Sequence, residues 1–171
     1  MMNSALPFIS PASPRRQEAW LQALRRYLGF IVPAHLLWEL AQLPLYTIWS
    51  GGSASEILFA VLHCTGGDAL IAIAALILAL VIAGKGWPSE REALWRVATI
   101  TIFLGIGYTV FSEWLNTVVR EAWVYSELMP VIPPLQTGLS PILQWIAVPV
   151  AAFWWARRPF AGARKPKEID L

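Results

Sequence analysis

Three carboxylic acids, Glu39, Asp68 and Glu113, lie inside stretches otherwise built from Leu, Ile, Val, Ala and Trp, with the histidines His35 and His63 close by. An ionisable group in hydrocarbon costs at least ~2.5–3.5 kcal/mol, so such residues face a protein interior and mark a site. A carboxyl held in a low-dielectric pocket can hand a proton to an alkene, epoxide or carbonyl. Glu39 and Asp68 are the candidate acid and base. Glu113 is the third candidate catalytic acid and, with Arg120, gates or orients at the mouth of the pocket, while His35 and His63 tune these groups. The alternative for each acid is a pairing with a histidine or amide that locks two helices together.

Spacing decides which side chains can meet. His35, Glu39, Gln42 and Tyr46 follow offsets 0, 4, 7 and 11, one face of a helix over three turns. Thr109, Glu113, Asn116 and Arg120 repeat those offsets, so two helices each carry one polar stripe to turn toward the other. Between them runs a stripe of small residues, Ala60, Cys64, Gly67, Ala75 and Ala79, with Asp68 beside it; close helix approach there points Asp68 inward. His63 lies ~140° around the helix from Asp68, and a break at Gly66-Gly67 is the device that would bring both to one point. Depth at ~1.5 Å per residue puts Glu39, Asp68 and His35 near the midplane, with Gln42, His63, Glu113 and Gln144 in a second layer nearer the outside. Substrate-binding candidates are therefore His35, Gln42, His63, Asn116, Arg120 and Gln144, joined by Trp123 and Tyr125 from the loop above.

The same residues weigh against a cofactor. A haem needs two axial ligands, and the two histidines differ in depth by ~11 Å. A metal site lacks any HExxH or Cys/His signature, and the one cysteine, Cys64, excludes a disulfide framework. No cofactor and no metal are expected.

The elements that must position this set are membrane spans. The chain has 171 residues, 57% apolar and only 14% charged, against ~25% charged for a soluble domain. Four segments reach the length needed to cross a hydrocarbon core: 27–49, 57–83, 97–119 and 139–155. The expected fold is all-α, a polytopic integral membrane protein forming one four-helix transmembrane bundle. Residues 1–24 are a loose cytosolic tail without the pattern of a secretion signal, and residues 157–171 form a basic cytosolic tail. Of the 13 Lys and Arg residues, only Arg120 falls on the other side of a four-span topology, which places both termini in the cytoplasm and the protein in the inner (plasma) membrane. Trp49, Trp114, Trp123 and Trp145 fall near the outer boundary, and Trp87, Trp95, Trp154 and Trp155 near the inner one, as interfacial belts. Residues 120–138, with Pro130, Pro133 and Pro134, form an outer capping loop past which a ligand from the outer leaflet would travel.

Three function classes suit such a protein: an intramembrane enzyme or binding protein for an apolar lipid or isoprenoid-type molecule, a proton- or ion-coupled small transporter subunit, and a non-catalytic assembly or accessory factor. The partners are the lipid bilayer and an apolar small molecule or lipid, not nucleic acid, with a homo-oligomer left open. The transporter reading lacks an inverted repeat. One run of residues favours the first class: Glu113 and Asn116 at a span end, then Trp123-Val124-Tyr125, a proline-rich turn, and Gly138-Leu139-Ser140-Pro141 opening the next span. This order, about a third of the chain, resembles small membrane lycopene cyclases, and the resemblance implies an isoprenoid-modifying protein. That family carries paired acids just after the proline, where this chain has Ile142-Leu143-Gln144.

Overall fold

The structure, a computed structural model, describes residues 14–158. The helices are α1 (Pro14–Gln42), the single turn α2 (Ile48–Gly51), α3 (Ala54–Ala83), α4 (Arg91–Trp114) and α5 (Leu139–Ala156). A small antiparallel hairpin, β1 (Val131–Ile132) and β2 (Thr137–Gly138), precedes α5. Four helical segments, Gln17–Leu45, Ala54–Ala83, Arg91–Val119 and Leu139–Ala156, are long and apolar enough to cross a membrane.

Local chemistry sets the ends. Pro14 opens α1, where a missing N–H costs nothing. The helix therefore starts inside the segment expected to be loose; residues 1–13 of that segment, and 159–171 of the basic tail, lie outside the described residues. At the other end Pro44 cannot donate to the helical ladder, so α1 tightens into a 3-10 turn over Leu43–Leu45 and Tyr46 leaves it extended, at φ −120° and ψ 145°. The first helical stretch thus stops short of the expected residue 49. Ser53 and Glu56 form a capping box, the Ser53 amide donating to Glu56 Oε2 at 2.8 Å, which starts α3 ahead of residue 57. Neither Gly66 nor Gly67 breaks α3. The end of α4 winds into a π-turn over Leu115–Val119, the Arg120 amide reaching the Leu115 carbonyl at 2.8 Å. That extra residue per turn changes the helical period beyond Glu113, and Asn116 and Arg120 still line the same cavity as Thr109 and Glu113.

In the bundle α1 packs against α3 and α5, and α4 packs against the same two, so α1 and α4 are diagonal partners, as are α3 and α5. The inner half is a continuous apolar cluster built around Tyr27, Ile31, Leu76, Val97, Val148 and Phe153. Two tryptophans placed in the interfacial belts by the sequence belong to this core: Trp87 and Trp145 are each 1% exposed. Trp87 meets the Trp20 ring edge-on at 5.1 Å between centroids, and Trp145 lies flush against Gly105. Trp49, Trp95, Trp114 and Trp154 are exposed. Exposed too are most of the large side chains of α3, such as Leu62, Leu70, Ile77 and Val81, a surface suited to hydrocarbon.

Gly105 decides how α4 meets α5, because a Cβ there would stand 1.9 Å from Trp145 Cε3. Gly105→Ala should force the indole aside and cost about 1–3 kcal/mol. Gly107→Ala, with open space around its Cβ, should be neutral or slightly stabilising. Thermal unfolding in detergent checks this, and equal melting of the two variants would contradict the packing.

Candidate functional site

Of the side chains that the sequence placed in two layers, His35, Glu39, Asp68, Gln42 and Gln144 meet in one. Gln144 Nε2, on α5, lies 2.8 Å from Asp68 Oδ2 on α3, 2.8 Å from His35 Nδ1 on α1 and 3.1 Å from Glu39 Oε1, also on α1. His35 Nδ1 is itself 3.2 Å from Asp68 Oδ2. The layers merge because α5 does not begin at the outer end of the bundle. The preceding hairpin dips inward, with Thr137 and Gly138 buried. The 18 residues of α5 therefore start deep, and Gln144 is level with His35.

Proton counting constrains this cluster. A carboxamide nitrogen carries two hydrogens, yet three acceptors surround Gln144 Nε2. The amide can therefore donate to only two of the three at once: either His35 Nδ1 accepts one amide hydrogen, or it carries its own proton toward Asp68 and the two amide hydrogens go to Asp68 and Glu39. His35 is fully buried beside Trp145, its ring 5.3 Å away, and its Nε2 has no hydrogen-bond partner among the described residues.

A second chain of donors holds Glu39 from the other side. The Trp38 indole N–H donates to Ser140 Oγ at 3.2 Å, Ser140 donates to Gln42 Oε1 at 2.8 Å, and Gln42 Nε2 donates to Glu39 Oε1 at 2.8 Å. The direction is uniform, so the indole, which can only donate, fixes which way the Gln42 amide points. Neither Trp38 nor Ser140 was a candidate from the sequence. Residue spacing cannot show a hydroxyl on α5 linking two side chains of α1.

Glu113 belongs to a separate group nearer the loop. Its carboxyl accepts from the Tyr125 hydroxyl, which in turn accepts from the Gly138 amide at 3.0 Å. Burial, and then the Glu113 carboxyl beside it, hold the Tyr125 hydroxyl above its ordinary range, so it stays protonated and donates. The expected coupling of Glu113 to Arg120 is replaced by this pair, and Arg120 is exposed at the rim. Asn116 turns back to the Ser112 carbonyl at 2.8 Å. Tyr46, off the helix, reaches the same place by bridging to Tyr125, with rings 5.6 Å apart. The loop is fastened there, Thr47 N–H to the Val124 carbonyl at 3.0 Å and Ser126 N–H to the Leu45 carbonyl at 2.9 Å.

Both groups border one cavity of about 1320 Å³. Glu39, Gln42, Asp68, Glu113 and Gln144 line it, as do Asn116, Arg120 and Trp123 at its outer side. His35 sits behind this wall as a support. His63 is exposed at the rim, stacked on Phe59 at 5.4 Å, because the unbroken helix keeps it turned away from Asp68. Among the described residues no three His, Cys, Asp or Glu side chains are placed to hold a metal ion.

Gln144→Leu keeps the side-chain volume and removes both amide hydrogens. At ~0.6 kcal/mol for each of the two hydrogen bonds between helices, the variant should lose roughly 1 kcal/mol, read as a lower midpoint in denaturant or thermal unfolding. A midpoint equal to wild type would mean the carboxamide is not the tie between α1, α3 and α5.

Comparison of the chain with protein-family models, with curated proteins and with solved structures finds no match.

Proposed function

We propose that the protein crosses the inner membrane four times, with both termini cytoplasmic, and that its cavity receives an apolar lipid or isoprenoid-type molecule for acid–base chemistry by Glu39 and Asp68. The observation that carries this reading is the meeting of two carboxyls from different helices on one amide, at the wall of a cavity of about 1320 Å³. A purely structural tie between helices needs one such acid; two acids at an open cavity can divide the work of acid and base. One carboxyl delivers a proton to a double bond, epoxide or carbonyl, and the other, as carboxylate, removes a proton from the resulting cation. The protein's proton count is unchanged over the cycle, and the His35–Asp68 contact offers a path for resetting the pair.

The orientation is supported by charge. Lys85, Arg91, Arg96, Arg157 and Arg158 sit at helix ends on one side. Arg26 joins them, donating to the Arg158 carbonyl. Arg158 also lies 3.9 Å over the Trp154 ring and 4.4 Å over Trp155, a basic-aromatic rim of the kind found at a membrane interface. Reporter fusions at Leu171 and near Gln136 should report the cytoplasmic and the outer side respectively. A periplasm-specific reporter active at Leu171 would overturn the topology.

Glu39→Gln and Asp68→Asn keep shape and hydrogen-bonding capacity but cannot cycle a proton. Each should insert and melt like wild type while failing in a complementation assay, and lipid extracts of the purified variants should hold unconverted substrate absent from wild type. If both variants complement fully and carry the same lipids as wild type, the acids are structural and the accessory-factor reading replaces this one.

A further inference from the structure

The cavity has a roof, a floor and a side that faces out between two helices, and these differ in chemistry. The roof segments are tied to each other by the backbone hydrogen bonds of Thr47 to Val124 and of Ser126 to Leu45 and by the Tyr46–Tyr125 bridge. Below, α3 and α4 close against each other through Ala72, Leu76 and Ala79 on one helix and Leu94, Val97 and Ala98 on the other, all in one buried cluster. Further out the same two helices contribute few buried apolar residues. Their cavity-lining side chains there include Phe59 and His63 on α3 and Tyr108 and Phe111 on α4, all exposed. A lateral opening therefore lies between the outer halves of α3 and α4, framed by aromatic rings, beside the exposed lining residues Ser55, Glu56 and Glu121 at the loop end.

Charge selects what can enter. Glu39 and Glu113 are buried at 8% and 7% exposure and Asp68 is nearly so, and all three line the cavity. Among the described residues the only Lys or Arg on its wall is Arg120, which is exposed at the rim. A phosphate or carboxylate reaching the floor would meet carboxyls with no cation to offset it, an unfavourable juxtaposition. An O–H or N–H donor would find the spare lone pairs of Glu39 and Asp68.

We infer that the ligand is an amphiphile with a long apolar tail and a hydrogen-bond-donating head that is uncharged or cationic, a hydroxyl or an amine, and that it enters sideways from the outer leaflet between α3 and α4. This rests on the reading of the cavity as the site of an apolar substrate, and fixes its head group and its route.

Two glycines on α3 make the route testable. Gly67 lines the cavity, Gly66 faces outward, and a Cβ at either meets nothing within 4 Å. Gly67→Leu fills the cavity and Gly66→Leu does not, while both replace a poor helix former with a good one and so keep α3 intact. The probes are a diazirine-bearing long-chain primary alcohol and the matching carboxylic acid, photolysed with the protein in phosphatidylcholine vesicles, with labelled peptides mapped by mass spectrometry. The alcohol should label segments 59–71 and 108–116 roughly tenfold more than the acid does. Gly67→Leu should lose that labelling and Gly66→Leu should keep it. Equal labelling by alcohol and acid overturns the head-group assignment, and equal labelling of the two glycine variants overturns the route. Labelling is read without turnover, so it is separable from the acid–base reading. Acid variants that complement fully beside selective cavity labelling would sink the chemistry and leave the ligand class standing.

Discussion

Glu39, Asp68 and His35 come from two helices, and the Gln144 carboxamide on a third reaches all of them. Buried polar groups left without partners are costly in any apolar interior, and more so where no water competes. The amide answers this for both acids at once, and in doing so it spans the bundle diagonal from α5 to α3. Removing the amide would leave α1 and α3 each holding a carboxyl with one fewer donor. The polar cluster is thus a consequence of where one side chain of α5 stands, and that position depends in turn on what precedes and what backs it.

Two features fix it. The hairpin before α5 buries Thr137 and Gly138 and is held by the Tyr125 hydroxyl, so the helix starts below the roof and Gln144 arrives at the level of His35. Behind it, the neighbouring Trp145 fills the space that Gly105 leaves and lies against the His35 ring. The indole therefore acts as a spacer between the apolar inner core and the polar outer half: one edge closes the core, while the other face positions the histidine. A close-packed interior transmits a displacement rather than absorbing it, so the contact of α4 with α5 and the geometry of the acids are parts of one constraint.

The four long apolar helices were legible in the sequence because the signal needed is only length and composition, and the polar stripe His35–Glu39–Gln42 was legible because α1 stays regular across it. Tyr46 and Arg120 show where that logic stops. Both were placed by extending a helical period through a Pro44 turn and a π-turn, each of which changes the residues per turn. Tyr46 nevertheless lands on the cavity wall, by an extended backbone and not by the helical face. Gln144 was named as a candidate but set too shallow, since helix depth counted from a boundary is wrong when the boundary itself lies inside the bundle. Ser140 was passed over because a single hydroxyl near a helix start carries no periodic signal. Trp87 and Trp145 look like interfacial anchors in sequence, and only packing distinguishes an anchor from a core residue.

The division of the bundle into a closed inner half and an open outer half also bears on how such a site can persist. The inner cluster, rich in alanine at the α3–α4 contact, brings those helices together closely. Further out, the same two helices line the cavity instead of packing an apolar core. The roof then has a structural task of its own. With the lateral side open, α1 and the 120–138 loop must be tied directly, and the Tyr46–Tyr125 bridge with its flanking hydrogen bonds supplies that tie where side-chain packing is absent. Glu113, set under the Tyr125 hydroxyl, connects this tie to the cavity wall. The acid nearest the loop is therefore engaged with the roof, while the two deeper acids line the space beneath it.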